Sequence, residues 1–379
     1  MAQGRIGIVA FAIIAVVVAV GGPIDMSSRM RPAGLPSNQM AITRTPDGRI
    51  FVLGGAGATG PSALVWALDI ESRTWTVAGR LLHPRVAPSA VVMADGRILV
   101  TGGCCPITAE SEIFDVRSAE SRAAARMLEP RSGHTLTRLA DGRIAAIGGA
   151  TVSKAFSSVE LFDPSSGAWN PFPTLSAPRS LHATLVLDDG SLMVIGGNGF
   201  SDSSGGEIFD PVDHAWHAIT KYPRASWLVI DTVRLADKVV IAERQRRGSM
   251  AIGTYDLRTS VWSPLCSPRL PRVDEAAVIL PGGKVVVGGG SVGIGGREHA
   301  VADVTLFDPA AKTWTTLPDL AVARANARFV AVDDDLVLAI GGYDGDASVE
   351  SPEFIVTASS SLTPAAEICG ASGSGTFRL

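Results

Sequence analysis

The chain has 379 residues, of which 46% are hydrophobic and 18% charged, with a formal net charge of −4. That apolar content is enough to bury a large core and is incompatible with global disorder. A slightly acidic balance without an extended run of Lys or Arg argues against a phosphate-tracking surface, so nucleic acid is not an expected partner.

The N-terminus differs in kind from the rest. Arg5 precedes an apolar stretch from Ile6 to Val20, followed by Gly21, Gly22 and Pro23. The stretch is short for a membrane span and has the charged, apolar and small-residue regions of a secretory signal in the right order. Residues 1–21 therefore read as a signal peptide cut after Gly21, and the mature chain as secreted or periplasmic. An uncleaved anchor is the alternative, and the only one that makes the membrane a partner. Export would place Cys104, Cys105, Cys266 and Cys369 in an oxidising compartment. Sequence does not assign their pairing: the adjacent pair could join the two distant cysteines or be small buried apolar residues. Their spacing matches no zinc pattern, and the reading includes no metal and no cofactor.

From residue 47 onward one motif recurs. Asp47-Gly48-Arg49-Ile50-Phe51-Val52-Leu53-Gly54-Gly55 is followed by copies at Asp95–Gly103, Asp141–Gly149 and Asp189–Gly197. The first Gly of each pair falls at 54, 102, 148, 196, 288 and 341, giving steps of 48, 46, 48, 92 and 53. The step of 92 is two periods, and its midpoint falls on Ala242-Glu243, after the apolar Val239-Val240-Ile241. A fifth copy thus exists with its Gly pair replaced, making seven.

Within a copy, Asp-Gly between two apolar runs is a hairpin signal, with both turn residues tolerating positive φ. A third strand is marked by an aromatic-Asp step, as in Phe114-Asp115, Phe162-Asp163, Phe209-Asp210, Tyr255-Asp256 and Phe307-Asp308. A turn then leads to a strand carrying Trp75, Trp169, Trp216, Trp262 or Trp314, with no such Trp in the second copy. Four short strands per period cannot bury their own faces, which calls for sheets stacked radially around an axis.

These residues resemble the kelch repeat over about residues 35 to 357. The resemblance implies an all-β, seven-bladed kelch-type β-propeller over residues 22–357, with a Ser-, Gly- and Ala-rich tail at 358–379. Six blades would follow only if the first or last copy were incomplete. A Pro-Arg or Ala-Arg step before each first strand recurs at Arg85, Arg131, Arg179, Arg224, Arg272 and Arg324, and is read as scaffold. Closure by strands from both ends assigns the missing outer strand to residues 24–34 and leaves the tail loosely attached, unless Cys369 pins it.

Propellers carry function on the loops around one mouth of the channel. Residues just after each Arg and each Gly-Gly ring that mouth: His134, His182, Asn198, Trp227, Asp274, Glu275, Asn326, Arg328 and Tyr343. The fifth copy stands apart, placing Arg244, Arg246 and Arg247 where other copies have small residues. With Asp274 and Glu275 nearby, these arginines suggest a polar pocket for a carboxylate or sulfate. His134 and His182 occupy equivalent positions, which fits scaffold hydrogen bonding better than metal binding.

Among relatives implied by the resemblance, kelch-like copper radical oxidases need tyrosine and histidine ligands. This chain has only Tyr222, Tyr255 and Tyr343, and Tyr255 belongs to the strand motif. The iron-binding specifier pattern Glu-x-x-x-Asp-x-x-x-His has its nearest string in Glu207, Asp210 and His214, with the first spacing wrong. Exported kelch-type sugar acid epimerases suit the basic rim by analogy of fold and compartment alone. With no convincing catalytic set, the leading expectation is a binding module for a protein or glycan. The alternative is an enzyme on a carbohydrate acid, with the arginines holding the anion and Asp274, Glu275 or a His moving protons. A structural repeat of a surface assembly would require self-association, which no feature of the sequence demands.

Overall fold

The structure, a computed structural model, describes residues 34–198, 205–219, 226–245, 250–265, 272–294, 297–358 and 367–368. The signal segment, Arg224, Arg246, Arg247, Tyr222, Cys266 and Cys369 lie outside the described residues, as do residues 24–33.

Seven antiparallel sheets follow one another along the chain, the expected seven-bladed propeller. The third blade is representative: Thr135–Arg138, Ile144–Ile147, Val159–Asp163 and Ala168–Phe172 pair in sequence order. Second strands such as Ile50–Leu53, Ile144–Ile147 and Leu192–Ile195 are buried at every residue. Their apolar runs do not alternate because each sheet is covered on both faces by neighbouring blades. Packing runs from blade to blade: Phe51 and Val65 of the first meet Ile98, Val100 and Phe114 of the second. The ring is closed by Leu35, Ile50 and Val52 against Leu338 and Ile340 of the seventh. Gly342 N–H donates to Ser37 C=O at 2.7 Å across the same junction.

The Asp-Gly turns differ from the expectation in one respect. Gly48, Gly96, Gly142 and Gly190 take positive φ, but the preceding Asp does not. Its carboxylate instead accepts the backbone N–H two residues on, at 3.0 Å from both Arg97 and Arg143. Side-chain hydrogen bonds and the neighbouring arginine keep Asp47 below the usual carboxylate range.

Two boundaries also shift. In the sixth blade the left-handed glycines are Gly289 and Gly290, while Gly288 is still in the strand Val285–Gly288. The tail is not wholly detached: Glu367–Ile368 pairs with Thr313 and Trp314, adding a fifth strand to the sixth blade. The seventh blade has three strands among the described residues.

Candidate functional site

In five blades, among the described residues, a buried clamp ties the loop to its blade. Arg179 is 2% exposed; its Nη1 donates to Gly196 C=O at 2.7 Å and its Nη2 to Glu207 Oε1 at 2.8 Å. The other oxygen of Glu207 accepts Ser176 N–H at 2.7 Å. Arg85 repeats the pattern with Gly102 and Glu112, Arg131 with Gly148 and Glu160, and Arg324 with Gly341 and Glu353. In the sixth blade Asp303 takes the carboxylate role for Arg272. The recurring arginines are therefore scaffold, as expected. Their glutamates were missed in the sequence, although Glu112, Glu160 and Glu207 stand two residues before each aromatic of the aromatic-Asp step and carried the signal.

Two positions after each of these arginines the chain passes through a left-handed residue at the mouth, Ala87, Gly133, Leu181, Asp274 or Asn326, and Gln39 does the same in the first blade, where Ser37 stands in the arginine's place; all six have φ between 50° and 65°. Backbone hydrogen bonds join these positions, Ala87 N–H to Gln39 C=O, Leu181 N–H to Gly133 C=O and Asn326 N–H to Asp274 C=O. Asp and Asn at two of them suit the left-handed conformation. The next residue turns under the second glycine of the pair, and here His134, His182 and Glu275 are equivalent.

The two histidines are fastened inward. His134 Nε2 lies 2.8 Å from Thr101 Oγ1, and His182 Nε2 lies 3.1 Å from Thr135 Oγ1. Burial, reinforced by the arginine positive charges, keeps both imidazoles neutral, with His182 pushed down to about 3. That is scaffold bonding, in keeping with their repeat position.

The fifth blade breaks the symmetry of the rim. Without a Gly pair, its second strand does not stop after four residues but runs from Lys238 to Gln245. Its first strand spans Ser226–Leu235 and is kinked by register shifts between Ser226 and Leu228 and between Val229 and Asp231. The extended ribbon carries Arg244 to the sixth blade, where Nη1 donates to Asp274 Oδ1 at 2.8 Å and Nη2 to Glu275 C=O at 3.1 Å. Glu275 is 5% exposed, and burial pushes its carboxyl up to about 7 despite Arg272 and Arg244 nearby. Asp231, whose carboxylate accepts Ile279 N–H at 2.7 Å, is raised by burial to about 6, opposed by its backbone hydrogen bonds and by Arg328 of the seventh blade. Carboxyls able to hold a proton near neutrality are the kind of group found at functional clefts.

Of the expected residues, the structure thus gathers Arg244, Asp274, Glu275 and Asn326 into one sector. Asn198 and Tyr343 occupy equivalent bridge positions, opposite Ser180 and Ala325, on the fourth and seventh blades. Trp227 lies in the first strand of the fifth blade. Asp231 was missed, because its bulged strand carries no repeat signature. Glu207, Asp210 and His214 do not converge: Glu207 is held by Arg179, and Asp210 caps its turn through Val212 N–H.

No family model matches the chain. Among solved structures, the one titled "Structure of YjhT" aligns with a TM-score of 0.55 at 16% identity, covering 74% of this chain and 97% of that one. A fungal alcohol oxidase of the AA5 family, in complex with copper, aligns with a TM-score of 0.62 at 16% identity, covering 86% and 76%. Among the described residues, which leave out Tyr222, the donors do not fit a copper–tyrosine centre. Tyr255 is 1% exposed in the core of the fifth blade, and Tyr343 sits three blades from either buried histidine around the ring. What the chain has in common with both structures is its fold, a kelch-type β-propeller.

Proposed function

We propose that the chain is an extracytoplasmic binding propeller that recognises a glycan on its loop face, in the sector between the fifth and seventh blades. The observation that carries this reading is the extended fifth-blade ribbon, which sets Arg244 on Asp274 and Glu275. Carbohydrate hydroxyls both donate and accept, and this sector offers both roles: guanidinium and amide donors from Arg244 and Asn326, carboxylate acceptors from Asp274, and a carboxyl on Glu275 that exchanges its proton near neutrality. The apolar N-terminal segment supports export. The test is direct titration of the purified chain against a panel of neutral and acidic oligosaccharides. Binding weakened at least about tenfold by Asp274→Ala, a loss of about 1.4 kcal/mol, supports the sector. No binding to any member, or binding untouched by that change, overturns it.

A second reading is favoured by one observation, the pair of raised carboxyls. Glu275 at about 7 and Asp231 at about 6 would suit proton transfer on a carbohydrate acid, with Arg244 near the anion. Turnover of sugar acids, abolished by Glu275→Gln with binding retained, would establish it.

A further inference from the structure

The bridge position held by Asn198 and Tyr343 is occupied in the second blade by Cys104. It follows Gly103, and its backbone is fixed against Val86, whose C=O accepts Cys104 N–H at 2.7 Å. Cys105 comes next with φ of 74° and an exposed side chain. Both cysteines are free thiols, and their sulfurs lie 2.8 Å apart. That separation is shorter than an ordinary non-bonded sulfur contact and longer than the disulfide bond of about 2.05 Å. The pair forms part of the wall of a cavity of about 490 Å³, together with Pro61, His83, Pro84 and Glu110. This cavity lies between the first and second blades, away from the Arg244 sector.

We propose that Cys104 and Cys105 are a redox site: a vicinal dithiol that closes reversibly to a disulfide by exchange with a low-molecular-weight disulfide admitted at this cavity. In the first step the exposed Cys105, as thiolate, attacks one sulfur of the oxidant and expels one thiolate, which takes up the proton that Cys105 lost. In the second step Cys104 loses its proton and attacks Cys105 Sγ, forming the Cys104–Cys105 bond and expelling the second thiolate. The protein gives up two protons and two electrons, and the oxidant is reduced to two thiols.

The order follows from the surroundings. Burial, with the neighbouring thiol adding to it, pushes the Cys104 thiol up to about 11, whereas Cys105 faces solvent. Capping Cys105 removes the neighbour's share and eases the second step. Reversibility follows from chain geometry. Adjacent α-carbons are held about 3.8 Å apart by a trans peptide, closer than the roughly 4.4–6.8 Å that a relaxed disulfide spans. The closed ring is therefore strained and more readily reduced than a structural disulfide. A tight pair on the rim of a binding face, in a compartment that permits oxidation, would act as a switch on the cavity wall.

The experiment uses the full chain carrying Cys266→Ser and Cys369→Ser, equilibrated with glutathione disulfide and then alkylated and weighed intact, with peptide mapping of the unaltered chain alongside. The expected result is a mass lower by two hydrogens, no retained glutathione, both thiols protected from alkylation, and full reversal by excess dithiol. Adding Cys104→Ser should instead trap a stable glutathione adduct on Cys105. Both thiols still alkylated after oxidation, glutathione retained while Cys104 is present, or a bond from either cysteine to Cys266 or Cys369 would overturn the proposal. Thermal melts of each variant verify folding.

Discussion

Arg179 and Glu207 meet at 2.8 Å with each side chain only 2% exposed, and between them they bind Gly196 C=O and Ser176 N–H. The pair thus joins the segment before the first strand to the end of the second and the start of the third. Its burial desolvates both charges, so the contact is sustained by carbonyl partners for Nη1 and an amide partner for the second Glu207 oxygen, while Arg179 Nε is buried without a hydrogen-bond partner among the described residues. Removing one member leaves the other charged and buried. Arg179→Ala or Glu207→Ala is expected to destabilise by about 3–5 kcal/mol. Arg179→Met with Glu207→Leu should recover much of that loss. Denaturant midpoints of the three variants check this, and equal losses in all three would refute it.

Glu275 gives stability a pH dependence of known sign. Its carboxyl is raised from 4.5 to about 7, so the folded state binds the proton more tightly than the unfolded chain. The associated stability is complete below about pH 4.5 and is lost as pH rises through 7. Glu275→Gln should therefore leave stability little changed at pH 4 and raise it at pH 8 by at most on the order of 3 kcal/mol. Melting curves across that range test the crossover; a constant offset at every pH would contradict it.

His182 works in the opposite direction. Its imidazole is depressed from 6.5 to about 3, so the unfolded chain takes up the proton first, and stability present above pH 6.5 is lost as pH falls towards 3. His182→Asn keeps a polar side chain near Thr135 without the titration. Its melting temperature should lie below that of the parent at pH 7 and converge with it by pH 4. Parallel pH profiles for the two chains would show that the imidazole does not titrate in this window.

Gly54 has φ of +62°, and a Cβ there would stand 2.7 Å from Arg85 C=O of the following blade. Gly54→Ala combines left-handed strain of about 1–3 kcal/mol with a collision against backbone. Gly205, with ordinary φ and nothing within 4 Å of where a Cβ would stand, is the control. Chemical denaturation should show a cost of at least about 2 kcal/mol for the first and a near-neutral effect for Gly205→Ala. Comparable costs at both sites would remove the steric argument.

Much of this molecule could be read from residue order. The Asp-Gly turn, the Gly-Gly stop and the aromatic-Asp cap act through local backbone rules, so their repetition reports the blade, the blade number and the inner rim directly. The arginines were legible as scaffold for the same reason. Other features depended on neighbours that sequence does not order. Glu112, Glu160 and Glu207 are ordinary strand residues until an arginine about 28 positions earlier is folded against them. Asp231 becomes a raised carboxyl only because a bulge turns it onto the sixth blade. Arg244 could be singled out by its absent glycines, but its attachment to Asp274 follows from the length of the ribbon those glycines would have ended. Local signals determined the repeat; the charge pairs and proton affinities at the mouth were decided by tertiary contacts within and between blades, because burial and electrostatic partners are properties of assembled surfaces.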